Sequence, residues 1–129
     1  MRLFIPPIGA VITLEKDWTF TLYKEYRNDN FAEALKLGKE IKSTRWGACR
    51  DWKDQMVTLP AGTKLKVSRI YIRNGVQDYN SVTFWAENKE LFGKKKPRFW
   101  VKLPEVNNIH FKDTDLTIHM LTKRKVLNG

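Results

Sequence analysis

Cysteine is nearly missing from this chain: Cys49 stands alone among 129 residues. An intrachain disulfide is therefore excluded, and an oxidising destination gains no support. Histidine is almost as scarce, at two. With a single thiol beside them, the histidines fall short of a structural zinc set, and no metal or cofactor is expected. No stretch approaches the roughly 18 apolar residues of a membrane-spanning helix. The start, Met1 to Gly9, reads as apolar but is broken by Pro6 and Pro7 and offers no small-residue cleavage site, so no secretory leader is expected. Gly-rich phosphate loops, internal repeats, low-complexity tracts and Gly/Ser linkers are all missing. Acidic residues are the last shortage, with 14 against 24 basic side chains and a net charge of +10. A soluble cytoplasmic chain is the expectation.

What is present is aromatic and basic. Five Trp, seven Phe and four Tyr within 42% hydrophobic content supply one ordinary core, and this length suits one domain. The positive excess opposes compaction and draws polyanions or acidic protein surfaces at long range.

Alternation dominates the pattern. Ile12 and Leu14, then Trp18 and Phe20, share one parity across Glu15-Lys16-Asp17, which predicts an N-terminal hairpin pairing Leu14 with Trp18 and Ile12 with Phe20. Asn30, with Glu33 three positions on, predicts the start of a short helix over Asn30–Ile41, weakened at Gly38. Residues 42–53 carry no period and read as an irregular connection. Gln55–Leu59 predicts a strand, Pro60-Ala61-Gly62 a turn, and Thr63–Arg73 a long strand. A parity slip near Ser68-Arg69 predicts a bulge or bend that lets this strand serve two sheets. Asn74-Gly75 predicts a turn. Tyr79–Glu87 follows with Val82, Phe84 and Ala86 inward, and then Pro97–Leu103 with Phe99, Val101 and Leu103 inward. Set antiparallel, these two strands pair Phe84 with Val101 and, on the opposite face, Trp85 with Trp100, Glu87 with Arg98 and Thr83 with Lys102. Pro104–Asn108 predicts a helical turn, Ile109–Phe111 a short strand, and Leu116, Ile118 and Met120 a last one.

The predicted fold is α+β and mainly antiparallel: residues 1–53 pack on a small barrel at 54–121, and 122–129 form a basic tail. The order of bent strand, hairpin, tight turn and brief closing strand over Gln55–Phe111 resembles an SH3-like small β-barrel. The phrases Leu59-Pro60-Ala61-Gly62-Thr63 and Arg98-Phe99-Trp100-Val101-Lys102-Leu103 resemble segments of small uncharacterised bacteriophage proteins, which implies a host-cytoplasmic setting. The acidic-aromatic motif by which SH3 domains hold proline-rich peptides is missing, so peptide binding is not carried over.

Function is expected at a surface. Lys94, Lys95, Lys96, Arg98 and Lys102 can neutralise phosphates, while Trp85 and Trp100 offer flat faces to unpaired bases. The competing arrangement covers both indoles with the N-terminal third, since large aromatics are on average highly buried. Sequence leaves that choice open. A second cluster, Arg45, Trp46, Arg50 and Trp52, either extends the surface or anchors the irregular connection. Anchoring weighs more, with Arg45, Trp46 and Arg50 kept as candidate contacts. Lys64 and Lys66 read as outward solubility charges.

Catalysis is not expected. His110 and His119 begin no two-histidine phosphoesterase motif, Cys49 lacks an orienting third group, and Glu40-x-Lys42 lacks the Pro-Asp strand of a nuclease centre. Two non-enzymatic roles remain: binding of single-stranded or structured nucleic acid, or docking on an acidic host protein so as to inhibit or modify it. Both use the same side chains.

Overall fold

The computed structural model describes residues 6–44, 47–72 and 80–111, with side chains described outside 41–49. In chain order the elements are β1 (Val11–Thr13), β2 (Trp18–Leu22), a 3-10 turn at Tyr26–Asn28, α1 (Asp29–Ala34), β3 (Lys39–Thr44) and β4 (Gly47–Asp51). Then come β5 (Gln55–Leu59), β6 (Lys64–Tyr71), β7 (Ser81–Glu87), α2 (Lys89–Phe92), β8 (Arg98–Lys102) and a 3-10 turn at Leu103–Asn108. Antiparallel strands with a few short helices make up the described chain, as the composition and alternation predict.

The strands form a four-stranded sheet in the order β1-β6-β7-β8 and the two-stranded ladders β2-β5 and β3-β4. The predicted N-terminal hairpin is corrected here. β1 pairs with β6 and β2 with β5, so the Glu15–Asp17 loop carries the chain from one sheet to the other. Pro60–Thr63 makes the same crossing between β5 and β6. The two arches are tied together by Gly62 N–H to Leu14 O at 2.7 Å and Leu14 N–H to Thr63 O at 2.9 Å. Parity sets which side chains point inward, and Ile12, Leu14, Trp18 and Phe20 are all buried as it requires. It does not say which strand completes the ladder.

Between the layers lies an aromatic core centred on Phe99. Phe31 stacks on it at 4.2 Å and Phe20 at 5.4 Å, with Phe84 at 5.7 Å. Trp18 closes one side with its indole N–H donated to Glu105 O at 3.1 Å. That bond satisfies the polar edge of a buried ring.

The predicted helix is shorter than its apolar spacing suggests. It ends at Ala34 because Lys36 and Gly38 take positive φ, 55° and 68°, and turn the chain into β3. Its N-cap is Asn28, two residues before the expected Asn30, and Asn28 makes no side-chain cap bond. Instead its buried amide accepts the Trp100 backbone N–H at 2.8 Å and donates to Tyr23 O at 3.0 Å and Trp100 O at 3.4 Å. The expected irregular connection is likewise corrected: β3 and β4 form an antiparallel hairpin. Gly38 permits it, since a Cβ there would run into the Asp51 carbonyl oxygen.

β6 carries the anticipated bulge between Val67 and Arg69, but both its halves stay in one sheet. Phe111 makes a single bridge to Leu14 rather than a short strand. Among the described residues the ladders do not close into a barrel. The expected turn at Asn74-Gly75 and the last strand near Leu116 lie outside the described residues.

Candidate nucleic-acid interface

One face of the four-stranded sheet is buried on the core and the other looks outward. The outward residues line up in rows across the strands, set by the pairing. Val11, Lys66, Trp85 and Arg98 form one row; Thr13, Lys64 and Glu87 flank it on one side; Arg69, Thr83 and Trp100 flank it on the other. Tyr71, Ser81 and Lys102 make a further row. Each row follows from period-2 alternation: Leu65, Val67, Val82, Phe84, Ala86, Phe99 and Val101 point inward, so their neighbours point out.

The β7–β8 register is two residues from the predicted one. Phe84 faces Phe99, Thr83 faces Trp100 and Trp85 faces Arg98. A two-residue slip keeps every side chain on its expected face, which is why alternation could not detect it. The connection explains the shift. Asn88 ends β7 by accepting the N–H groups of Glu90 and Leu91 at 3.0 and 3.1 Å, and nucleates α2. Its amide also donates to the buried Thr63 hydroxyl at 2.9 Å, and Phe92 packs on Phe31 at 5.8 Å. A helical turn that buries Phe92 fixes where Pro97 re-enters the sheet, with Ala86 N–H bonded to Pro97 O at 2.9 Å.

The two indoles therefore separate. Trp85 is 39% exposed, with the Arg98 guanidinium 5.6 Å from its ring centre. A shallow depression of about 390 Å³ lies beside it, lined by Val11, Lys64, Lys66, Trp85, Glu87 and Lys96. Trp100 is half-buried under the segment before α1. Tyr23 stacks on it at 5.9 Å with planes 7° apart, the Arg27 guanidinium lies 5.7 Å from its centre, and its N–H donates to Glu25 Oε2 at 2.7 Å. The N-terminal third covers one indole and leaves the other.

Burial alone would push the Glu25 carboxyl up. The hydrogen bonds from the Trp100 indole and from the Arg27 side chain and backbone, with the Arg27 charge, outweigh burial and hold it below the ordinary glutamate value.

The remaining expected contacts divide. Lys96 joins Trp85 in the depression, whereas Lys94 and Lys95 are exposed at the hairpin tip. Lys102 shares the sheet face with its ammonium 4.6 Å from the Tyr23 ring centre. Arg50 is drawn elsewhere: its guanidinium donates to Leu37 O at 2.7 Å and Gly38 O at 3.2 Å, which anchors the helix-to-hairpin connection. Trp52 is buried with its N–H on Asp29 Oδ1 at 3.1 Å, the anchoring role that sequence favoured for its cluster. Arg45 and Trp46 lie outside the described residues.

Sequence reading passed over Lys64, Lys66 and Arg69 as contacts. The parity of Leu65 and Val67 already placed Lys64 and Lys66 on one face, but only pairing with β7 brings them beside Trp85. Among the described residues, Lys64, Lys66, Lys96, Arg69 and Arg98 form no ion pair; the bridges present are Lys24–Asp29, Arg27–Glu25 and Arg50–Glu33. A flat aromatic face flanked by cations that hold no ion pair among the described residues, with Glu87 at its edge, can bind a polyanion that also carries rings. No metal-ligating cluster of three or more His, Cys, Asp or Glu occurs among the described residues, and no helix there is long and apolar enough to cross a membrane. Comparison with family models, curated proteins and solved structures finds no match.

Proposed function

We propose that this protein is a non-enzymatic accessory factor that binds single-stranded nucleic acid on the outward face of its four-stranded sheet. The observation that carries the reading is the row Lys66–Trp85–Arg98 across three adjacent strands, with Lys64 and Lys96 beside it and no ion pair among them within the described residues. In this reading a base stacks on the exposed Trp85 face, and the ammonium and guanidinium groups on either side take the flanking phosphates. Duplex DNA hides its ring faces, so an indole shelf favours unpaired strands.

We read the scaffold as a variant of the SH3-like small barrel. What supports that assignment is the sequence of bulged β6, β7, β8, a 3-10 turn at Leu103–Asn108 and the Phe111 bridge to Leu14.

Fluorescence anisotropy with single- and double-stranded oligonucleotides over a salt series tests the function. Single strands bind more tightly, and affinity falls steeply with salt. Trp85→Ala weakens single-strand binding by about 1–3 kcal/mol. Binding that ignores both salt and Trp85→Ala rejects the reading, as does capture of an acidic protein by a preparation that holds no oligonucleotide.

A further inference from the structure

Next to the Trp85 shelf lies a smaller recess of about 30 Å³, walled by Arg27, Ser68, Arg69, Thr83, Arg98, Phe99 and Trp100. Its three arginines arrive from three separate elements: the 3-10 turn, β6 just past its bulge, and β8. Ser68 is the residue that the bulge leaves without a partner on β7, and Thr83 sits between Arg69 and Trp100 in the cross-strand row. Two hydroxyl-bearing residues thus accompany the three guanidinium-bearing ones. Glu25 is bound to Arg27 Nε at 2.9 Å and accepts the Trp100 indole N–H at 2.7 Å. Arg69 and Arg98 have no carboxylate partner among the described residues.

Glu25 already offsets Arg27, whereas the Arg69 and Arg98 charges line the same recess and repel unless a further anion joins them. Guanidinium forks match the oxygens of a phosphate, and hydroxyls complete its shell. Charge favours an end group over an internal link, because a phosphomonoester carries about −1.5 to −2 at pH 7. We infer that the three-arginine recess binds the terminal phosphomonoester of a nucleic-acid strand whose adjoining base lies on Trp85. This deepens the single-strand reading and rests on it.

The test uses three oligonucleotides of one sequence, ending in a 5′-phosphate, a 3′-phosphate or hydroxyls only, titrated at one salt concentration against the parent and Arg69→Ala. A phosphorylated end binds the parent about tenfold or more tighter than the hydroxyl-ended strand, and whichever end gains reports the polarity of the bound strand. Arg69→Ala brings the phosphorylated strand to the hydroxyl-ended affinity, while Arg69→Lys, which keeps charge without the fork, recovers part of the gain. Equal affinity for all three strands, unaltered by Arg69→Ala, overturns the terminal-phosphate site and leaves single-strand binding standing. Failure of all three to bind removes both. Circular dichroism of the variants separates either result from misfolding.

Discussion

Trp85 and Trp100 lie on neighbouring strands of one sheet face, and truncating them has different consequences because of what each touches. Trp85 is 39% exposed and contacts Arg98 across the strand. Trp85→Ala is expected to shift the urea unfolding free energy by no more than about 0.5–1 kcal/mol while weakening oligonucleotide binding. Trp100 gives its N–H to Glu25 and its ring to Tyr23, so Trp100→Ala strands a carboxylate and opens a gap. A loss of about 2–3 kcal/mol is expected in the same denaturation experiment. Glu25 adds a pH dependence. Its carboxyl is held below the ordinary value, so its contribution is full above the unfolded glutamate value, near 4.3, and is lost as pH falls through the depressed folded one. Glu25→Gln should therefore melt below the parent at about pH 6, with the gap closing on acidification towards about pH 3. At this scale the sequence was informative about residue type and silent about cover. Both indoles were legible on the sheet face opposite the core, with cover by the N-terminal third left open, but nothing in residues 23–28 announces that Tyr23, Glu25 and Arg27 will close over one and not the other.

Elements were legible where a single periodicity governs. Gln55–Leu59, the inward sets of β7 and β8, the bulge in β6 and the turn after Leu103 all follow from alternation or from turn residues. Pairings were not. Leu14 and Trp18 belong to different sheets, and β7 and β8 are offset by two residues, because both alternatives leave the same atoms in the core. The β3–β4 hairpin was missed for another reason: Lys39–Thr44 and Gly47–Asp51 show no alternation, and what directs them is backbone geometry at Gly38. Gly38→Ala tests that cause. A left-handed backbone and a collision with the Asp51 carbonyl should cost at least about 2 kcal/mol by thermal or chemical denaturation, far more than an exposed Gly→Ala elsewhere. Asn88→Ala should cost about 1 kcal/mol through the lost cap on α2.

For the whole molecule, charge is the property that reaches furthest. A net +10, with Lys64, Lys66, Lys96, Arg69 and Arg98 on one side and without ion pairs among the described residues, makes association with a polyanion a long-range, salt-tuned event. For a single strand the logarithm of affinity should fall with the logarithm of salt at about −0.7 per phosphate neutralised. Lys66→Glu should flatten that slope by more than one such step, whereas Lys53→Glu, exposed beside Trp52 and away from the sheet rows, should change it less. The amide of Asn28 carries a consequence for assembly. At Trp100 it occupies the open side of β8, one of the two edge strands of the sheet among the described residues. A second molecule seeking to prolong the sheet there finds its donor and acceptor already spoken for. Asn28→Ala would uncover that ladder, so its hallmark should be concentration-dependent fibre or aggregate growth that sets in before the fold is lost.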